Sequence, residues 1–187
     1  MYLLINSSPN KDGNTAYLLE QLKKELDNLS VENKIIYLQE CLDDARWQYC
    51  TACTRPCSRA CFVNTKLEEL YNEIGEATGL VIGSPVYFGL PTSQIKALFD
   101  KSSSYRKTWV GKKLSAITVG GSRFGGQETT ANAIYQMGLI HGMEILNDGV
   151  AGFDGGHYGV QASAPASEDE NAQKRIKILA QRIESNQ

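Results

Sequence analysis

Short apolar runs alternate with amphipathic stretches along most of the chain. The runs have the compact apolar character of strands buried on both faces, and they lie at 2–6, 33–38, 79–83, 114–119 and 144–150. In the stretches between them apolar residues recur every three or four positions, which predicts helices at 15–28, 65–77, 93–101 and 128–141. A Gly/Ala/Ser-rich stretch at 151–167 predicts a surface extension, and a last helix carries apolar positions from 172 to 183.

This order of elements predicts an α/β fold. Right-handed crossovers place helices on both faces of a sheet, so the five strands should form a doubly wound parallel sheet. With 187 residues and no internal repeat, residues 1–187 are expected to form a single domain. Such sheets bind ligands beyond the carboxyl ends of their strands, which directs attention to the loops after the first, third and fourth strands.

Composition narrows the range of partners. The chain has 19 basic and 21 acidic residues and a net charge of −2, with no long run of either sign. Nucleic acid and anionic membranes are therefore disfavoured, because both usually require a basic patch. No apolar stretch approaches the roughly 20 residues of a membrane span, and the first strand begins at once, so the protein is expected to be cytoplasmic.

The loop after the first strand, residues 7–15, is rich in hydroxyl and amide side chains and leads into a helix. Backbone N–H groups at a helix N-terminus attract a phosphate. The loop matches neither the Walker sequence nor the dinucleotide fingerprint, which favours a phosphate monoester. A helix start capped by Asn14 or Thr15 is the simpler alternative.

Two further loops have unusual sequences. Residues 84–91 combine two prolines and a glycine with the adjacent aromatics Tyr87 and Phe88, on which a flat heteroaromatic ring could lie. Residues 120–128 contain four glycines, which let a backbone approach a ligand closely. A core-facing aromatic pair and a plain flexible loop are the respective alternatives.

The five cysteines lie within one segment between the second strand and the following helix. An odd number this closely spaced does not suggest a disulfide framework. Cys50, Cys53, Cys57 and Cys61 could surround one compact cofactor, whereas Cys41 lies outside their spacing. Tetrahedral zinc and ordinary thiols remain open as alternatives.

The three loops together carry a resemblance. The pattern Ser-Pro-x-x-x-Gly-Asn-Thr at 8–15, Gly-Ser-Pro-Val-Tyr-Phe at 83–88 and Gly-Gly-Gln-Glu at 125–128 resembles the NADPH-dependent FMN reductase family. Within it, the chain is most similar to multimeric flavodoxin-like quinone reductases and iron–sulfur flavoproteins. The resemblance runs from residue 2 to about 150 and implies a flavodoxin-like sheet of strand order 2-1-3-4-5 with bound FMN.

The resemblance also assigns residues. The FMN phosphate would be held by Ser8, Asn10, Asn14 and Thr15. The isoalloxazine would be lined by Pro85, Val86, Tyr87 and Phe88, and approached at its other edge by Gly120, Gly121, Ser122, Arg123, Phe124 and Gly125. His141 matches a histidine that some relatives place near the flavin, although a C-terminal helix residue that complements the dipole is the alternative.

In iron–sulfur flavoproteins four cysteines in this segment hold a [4Fe–4S] cluster, so the resemblance implies the same for Cys50, Cys53, Cys57 and Cys61, in an insertion at about 41–64. The spacing departs from the family pattern, which has two residues between the second and third cysteines and a longer last gap.

The activity expected from the resemblance is an FMN oxidoreductase. It would pass electrons from NAD(P)H through the flavin, with no side-chain acid or base, to a quinone, a metal complex or a protein. A ferredoxin-reduced electron carrier and a zinc-binding, non-catalytic module are the rivals. Tyr87, Phe88 and Trp109 are expected to be exposed near the sheet edge, which with the resemblance predicts a homodimer or homotetramer.

Overall fold

The computed structural model describes residues 1–149 and 157–186, which contain a parallel sheet with helices on both faces. Its strands are β1 (Tyr2–Asn6), β2 (Asn33–Tyr37), β3 (Gly79–Pro85), β4 (Lys113–Gly120), β5 (Glu144–Ile145) and β6 (Val160–Ser163). Its α-helices are α1 (Asn14–Asn28), α2 (Leu38–Asp44), α3 (Lys66–Glu76), α4 (Ser93–Lys101), α5 (Gln127–Ile140) and α6 (Glu170–Glu184).

The strand order β2-β1-β3-β4-β5 confirms the predicted topology, and every pairing is parallel. The fifth position in the sheet is shared by two short strands. β5 pairs with the beginning of β4, where Lys113 lies opposite Glu144, and β6 pairs with its end, where Gly120 lies opposite Ser163.

This split corrects two predictions. The fifth strand was expected at 144–150 but ends at Ile145, and Val150 lies outside the described residues. The stretch 151–167 was expected to be a surface extension. Residues 151–156 are not described, but Val160 and Ala162 in β6 are buried in the core, so the prediction is wrong for that part. Four alternating residues in a glycine-rich stretch give too weak a strand pattern to be recognised.

The two faces of the sheet have separate cores, because alternate residues of each strand point to opposite sides. On one side, Leu3 and Ile5 of β1 pack with residues of α2, α3, α4 and α5. On the other side, Tyr2 and Leu4 pack with residues of α1 and α6. This double burial explains why β1 has no polar position except its last residue, Asn6.

The predicted helices are confirmed to within a residue or two, and α4 has the predicted bounds. Helix α2 was not predicted, because its seven residues are too few to establish a helical period. None of the helices in the two described ranges is long and apolar enough to cross a membrane.

Candidate functional site

Three loops meet at the carboxyl edge of the sheet: loop 1 (residues 7–13), loop 2 (86–92) and loop 3 (121–126). Loop 1 is attached to β3 by Ser7, whose backbone N–H and hydroxyl both donate to the Gly83 carbonyl at 2.9 and 2.8 Å. It is attached to loop 2 by the Thr92 hydroxyl, which donates to the Ser7 carbonyl at 3.1 Å. The sequence-predicted loops are therefore neighbours in the fold.

Loops 2 and 3 touch through glycine. A Cβ atom added to Gly126 would lie 2.9 Å from the Gly89 Cα, and Gly126 has a φ of +95°, which favours glycine. The backbones of the two loops can approach this closely because Gly126 carries no side chain, whereas a Cβ at Gly89 would meet nothing within 4 Å.

Loop 1 is a chain of short side-chain-to-backbone hydrogen bonds. The N–H of Ser8 donates to Asn6 Oδ1, that of Asn10 to Ser8 Oγ, and that of Asp12 to Asn10 Oδ1, at 2.9 to 3.1 Å. These bonds fix the loop in a defined shape ahead of α1.

Helix α1 begins after Gly13, and no side chain caps its N-terminus. Asn14 and Thr15 were the alternative caps, but Asn14 Oδ1 instead accepts the N–H of Ala166 at 2.8 Å, and Thr15 is buried beside Gly83. Among residues 1–149 and 157–186, no side chain accepts from the first N–H groups of α1, which leaves them for another acceptor.

Loop 2 presents its aromatics to the outside. Tyr87 and Leu90 exchange two backbone hydrogen bonds around a tight turn, in which Phe88 and Gly89 both have positive φ. Phe88 is fully exposed and Tyr87 is half exposed, so the alternative of a core-facing aromatic pair is wrong.

Loop 3 is held by Gln127, a buried residue that the sequence motif contained but that we had not assigned to the site. Its Nε2 donates to the carbonyls of Ser122 at 2.6 Å and Ala162 at 3.1 Å. A Cβ at Gly120 would lie 2.5 Å from this Nε2, so Gly120 makes room for the amide. The loop is therefore anchored to β6, while Arg123 and Phe124 project from it.

A cavity of about 1070 Å³ lies on the β6 side of loop 3. It is lined by residues 123–129 of loop 3 and α5 and by residues from β6 to the start of α6, and not by loop 1 or loop 2. Arg175, which faces this cavity, forms a buried ion pair with Asp148. The cavity thus adjoins the loop cluster without being its centre.

His141 and Trp109 are not near the three loops. His141 follows α5 at the opposite edge of the sheet, where Gly142 accepts a hydrogen bond from Gly111 just before β4. The centroid of its ring lies 4.6 Å from that of the Trp109 ring, with the two rings tilted, and its Nε2 lies 2.9 Å from Ser102 Oγ. Burial, with a smaller contribution from Arg106, lowers the pKa of His141 to about 4.

Two expectations change as a result. The structure does not bring His141 to the predicted flavin site, because the histidine belongs to an aromatic core. Trp109 is completely buried, so it is not the exposed aromatic that the sequence suggested.

The cysteine segment forms a second cavity of about 620 Å³ at the outer side of α4. Cys50, Cys53, Cys57 and Cys61 all line it and are free thiols; the first two are exposed and the others are half-buried. Cys41 does not line it, since it lies on the buried side of α2, where burial raises its pKa to about 11.

The four thiols fit a thiolate-bound cofactor in chemistry, in number and in sharing one cavity. Within the ranges 1–149 and 157–186, however, no three Cys, His, Asp or Glu side chains are grouped closely enough to hold a metal ion. Cys61 has the most defined surroundings, because Lys101 Nζ donates a hydrogen bond to its Sγ at 3.2 Å.

Comparison with known proteins finds a family model and curated relatives that match most of the chain. Residues 2–157 match the family model of NADPH-dependent FMN reductase. An iron–sulfur flavoprotein from Methanocaldococcus jannaschii is 34% identical over 151 residues, covering 77% of this chain and 74% of its own. One from Methanosarcina thermophila is 29% identical over 182 residues, covering 96% and 91%.

Solved structures agree on the fold. An oxidoreductase from Corynebacterium diphtheriae superimposes with a TM-score of 0.72 at 20% identity, covering 98% of this chain and 94% of its own. At this identity the likeness concerns the flavodoxin-like architecture alone.

Proposed function

The chain belongs to the NADPH-dependent FMN reductase family, and on that premise we propose that it is a single FMN-binding domain that passes electrons from NAD(P)H through the flavin to a quinone, a metal complex or a protein. The family assigns a flavin oxidoreductase; the site residues, the acceptor and the use of the cysteines are the proposal. The observation that carries it is the meeting of three loops at the uncapped N-terminus of α1.

The phosphate of FMN would lie at loop 1. The first N–H groups of α1 would donate to it, and the helix dipole favours a dianion there. The hydroxyls of Ser8 and Thr15 and the Asn10 amide are the side-chain donors in reach of this end. Ser8 Oγ and Asn10 Oδ1 already accept backbone N–H groups, so the Ser8 hydroxyl proton and the Asn10 Nδ2 protons are free to point at the ligand. Asn14 Oδ1 accepts from Ala166, so the Asn14 Nδ2 group would be the donor to the phosphate.

The isoalloxazine would lie between loops 2 and 3. Residues 85–88 would cover one side, and the glycine-rich backbone of 120–125 would approach the other. Because Gln127 and the Tyr87–Leu90 turn fix both loops, the protein would orient the ring with little reorganisation. When bound, FMN supplies hydride acceptance and one-electron transfer, and the protein supplies position and electrostatics.

We propose further that Cys50, Cys53, Cys57 and Cys61 hold a [4Fe–4S] cluster as a one-electron exit from the flavin. The names of the two relatives from methanogens support this, as does the shared cavity of the four thiols. Zinc is the competing occupant. A ferredoxin-reduced electron carrier is the competing function.

One anaerobic preparation tests these proposals together. The protein should release FMN on heating, contain about four irons and four sulfides per chain, and oxidise NADH or NADPH in the presence of a quinone. FAD or no flavin after reconstitution would refute the site. Stoichiometric zinc would refute the cluster alone. Reduction by ferredoxin without NAD(P)H oxidation would favour the electron carrier.

We propose that the chain assembles as a homodimer or homotetramer through the carboxyl edge of the sheet. Phe88, Phe124 and Tyr87 are exposed on adjacent loops, which is the kind of apolar surface that partners cover. Light scattering of the holoprotein at working concentration should give at least twice the chain mass. A monomer would contradict the assembly and leave the flavin proposal intact.

A further inference from the structure

Lys101 is an unusual residue in the wall of the cysteine cavity. It ends α4 and is 1% exposed, although lysine is almost never fully buried without a partner. Its Nζ donates to the Trp47 carbonyl at 2.5 Å and to Cys61 Sγ at 3.2 Å. In the described part of the chain, no carboxylate lies within salt-bridge distance of it. A buried cation held only by a carbonyl and a sulfur calls for a negative group in the cavity.

The rest of the cavity has the same electrostatic character. Arg55 and Arg59 also line it, and Asp100, the single acidic residue in its lining, forms an exposed ion pair with Lys96. Arg59 is partly neutralised by Glu68 at 3.4 Å. A [4Fe–4S] cluster with four thiolate ligands is a dianion that gains a further negative charge on reduction. The cavity is therefore complementary to such an anion.

The dipole of α4 does not account for the buried position of Lys101. A cation in the last turn is favourable at a helix C-terminus, but an exposed lysine would meet that requirement. The dipole explains neither the burial of the side chain nor its hydrogen bond to one of the four sulfur atoms.

We propose that Lys101 is a positioning residue of the four-cysteine site, which holds the Cys61 sulfur by an N–H···S hydrogen bond and raises the reduction potential of the cluster bound there. This rests on the proposed cluster. Hydrogen bonds to the sulfurs and local positive charge stabilise the more negative, reduced state, so both effects of Lys101 act in the same direction.

The test is the midpoint potential of the cluster, measured by anaerobic dithionite titration of the holoprotein at one pH. Lys101→Met should lower it by about 59 mV or more, which is a tenfold change in a one-electron equilibrium constant. Lys101→Gln keeps a hydrogen-bond donor without the charge, so its potential should lie between those of Lys101→Met and the wild type. Lys101→Arg should stay nearest the wild type. Lys23→Met, a partly exposed lysine of α1 that pairs with Asp27 on the other face of the sheet, is the matched control and should leave the potential unchanged.

A second measurement needs no variant. In protein labelled with 15N-lysine, pulsed EPR of the reduced cluster should detect coupling to a lysine nitrogen. Absence of that coupling would overturn the proposal, as would a Lys101→Met protein with normal circular dichroism and FMN content whose potential equals or exceeds that of the wild type. A wild-type protein that takes up FMN but no cluster would refute the underlying cluster proposal, and the role of Lys101 with it.

Discussion

The contact between loops 2 and 3 gives the sharpest test of the flavin site. Gly126→Ala places a Cβ 2.9 Å from the Gly89 Cα, a backbone atom that cannot rotate away, at a residue with a φ of +95°. A left-handed alanine costs about 1–2 kcal/mol, and overpacking typically costs about 1–3 kcal/mol. The two loops should therefore separate, with a total penalty of about 2–5 kcal/mol on the arrangement that closes around the ring.

This penalty should appear in FMN affinity. Since 1.4 kcal/mol corresponds to tenfold in affinity, Gly126→Ala should weaken FMN binding by roughly 30-fold or more. The assay is titration of apoprotein with FMN, followed by quenching of flavin fluorescence. Gly111→Ala is the matched control, because Gly111 also has a positive φ (+76°), a Cβ there meets nothing within 4 Å, and it lies just before β4, away from the three loops. An affinity within twofold of the wild type for Gly126→Ala, or an equal loss for Gly111→Ala, would refute the reasoning.

Three further predictions follow. Thr15→Val should weaken FMN binding by about 1.5–3 kcal/mol, the value of a hydrogen bond to a charged group. Thr15→Ser keeps the hydroxyl and should largely retain the affinity. Equal FMN affinity of the two variants in the same titration would remove Thr15 from the site. Cys57→Ser should abolish the iron–sulfur absorption and spare FMN, whereas Cys41→Ser should keep both; loss of iron from Cys41→Ser would show that the wrong thiols were chosen. Because burial lowers the pKa of His141 from 6.5 to about 4, its protonation favours the unfolded chain, and the free energy of unfolding should fall by about 3 kcal/mol between pH 6.5 and pH 4. Urea unfolding of the wild type and of His141→Gln should differ in this pH dependence, and parallel curves would disprove the assignment.

The parts of the fold that were predictable depend on local patterns. Doubly buried strands such as β1 and β3 have continuous apolar sequences, and helices such as α4 have a clear period, so their order fixed the topology and the position of the loops. β6 was not predicted, because its strand conformation depends on its pairing with β4 and not on a local sequence pattern.

The meeting of the three loops was predictable, because it follows from the strand order, whereas the contacts that side chains make with distant residues were not. Gln127 reaches a carbonyl 35 residues away, and Lys101 reaches a sulfur 40 residues away. His141 was assigned from a motif, but its surroundings are set by Trp109 and Phe99, which only the folded chain brings to it.

The bond from Ala166 to Asn14 spans 152 positions and has a consequence for the order of events in biosynthesis. The end of α1 that would receive the phosphate is synthesised well before the turn that braces it and before α6, which packs with α1 on the same face of the sheet. A nascent chain should therefore hold FMN weakly until α6 has emerged and docked. Flavin loading would then report that α1 and α6 have come together.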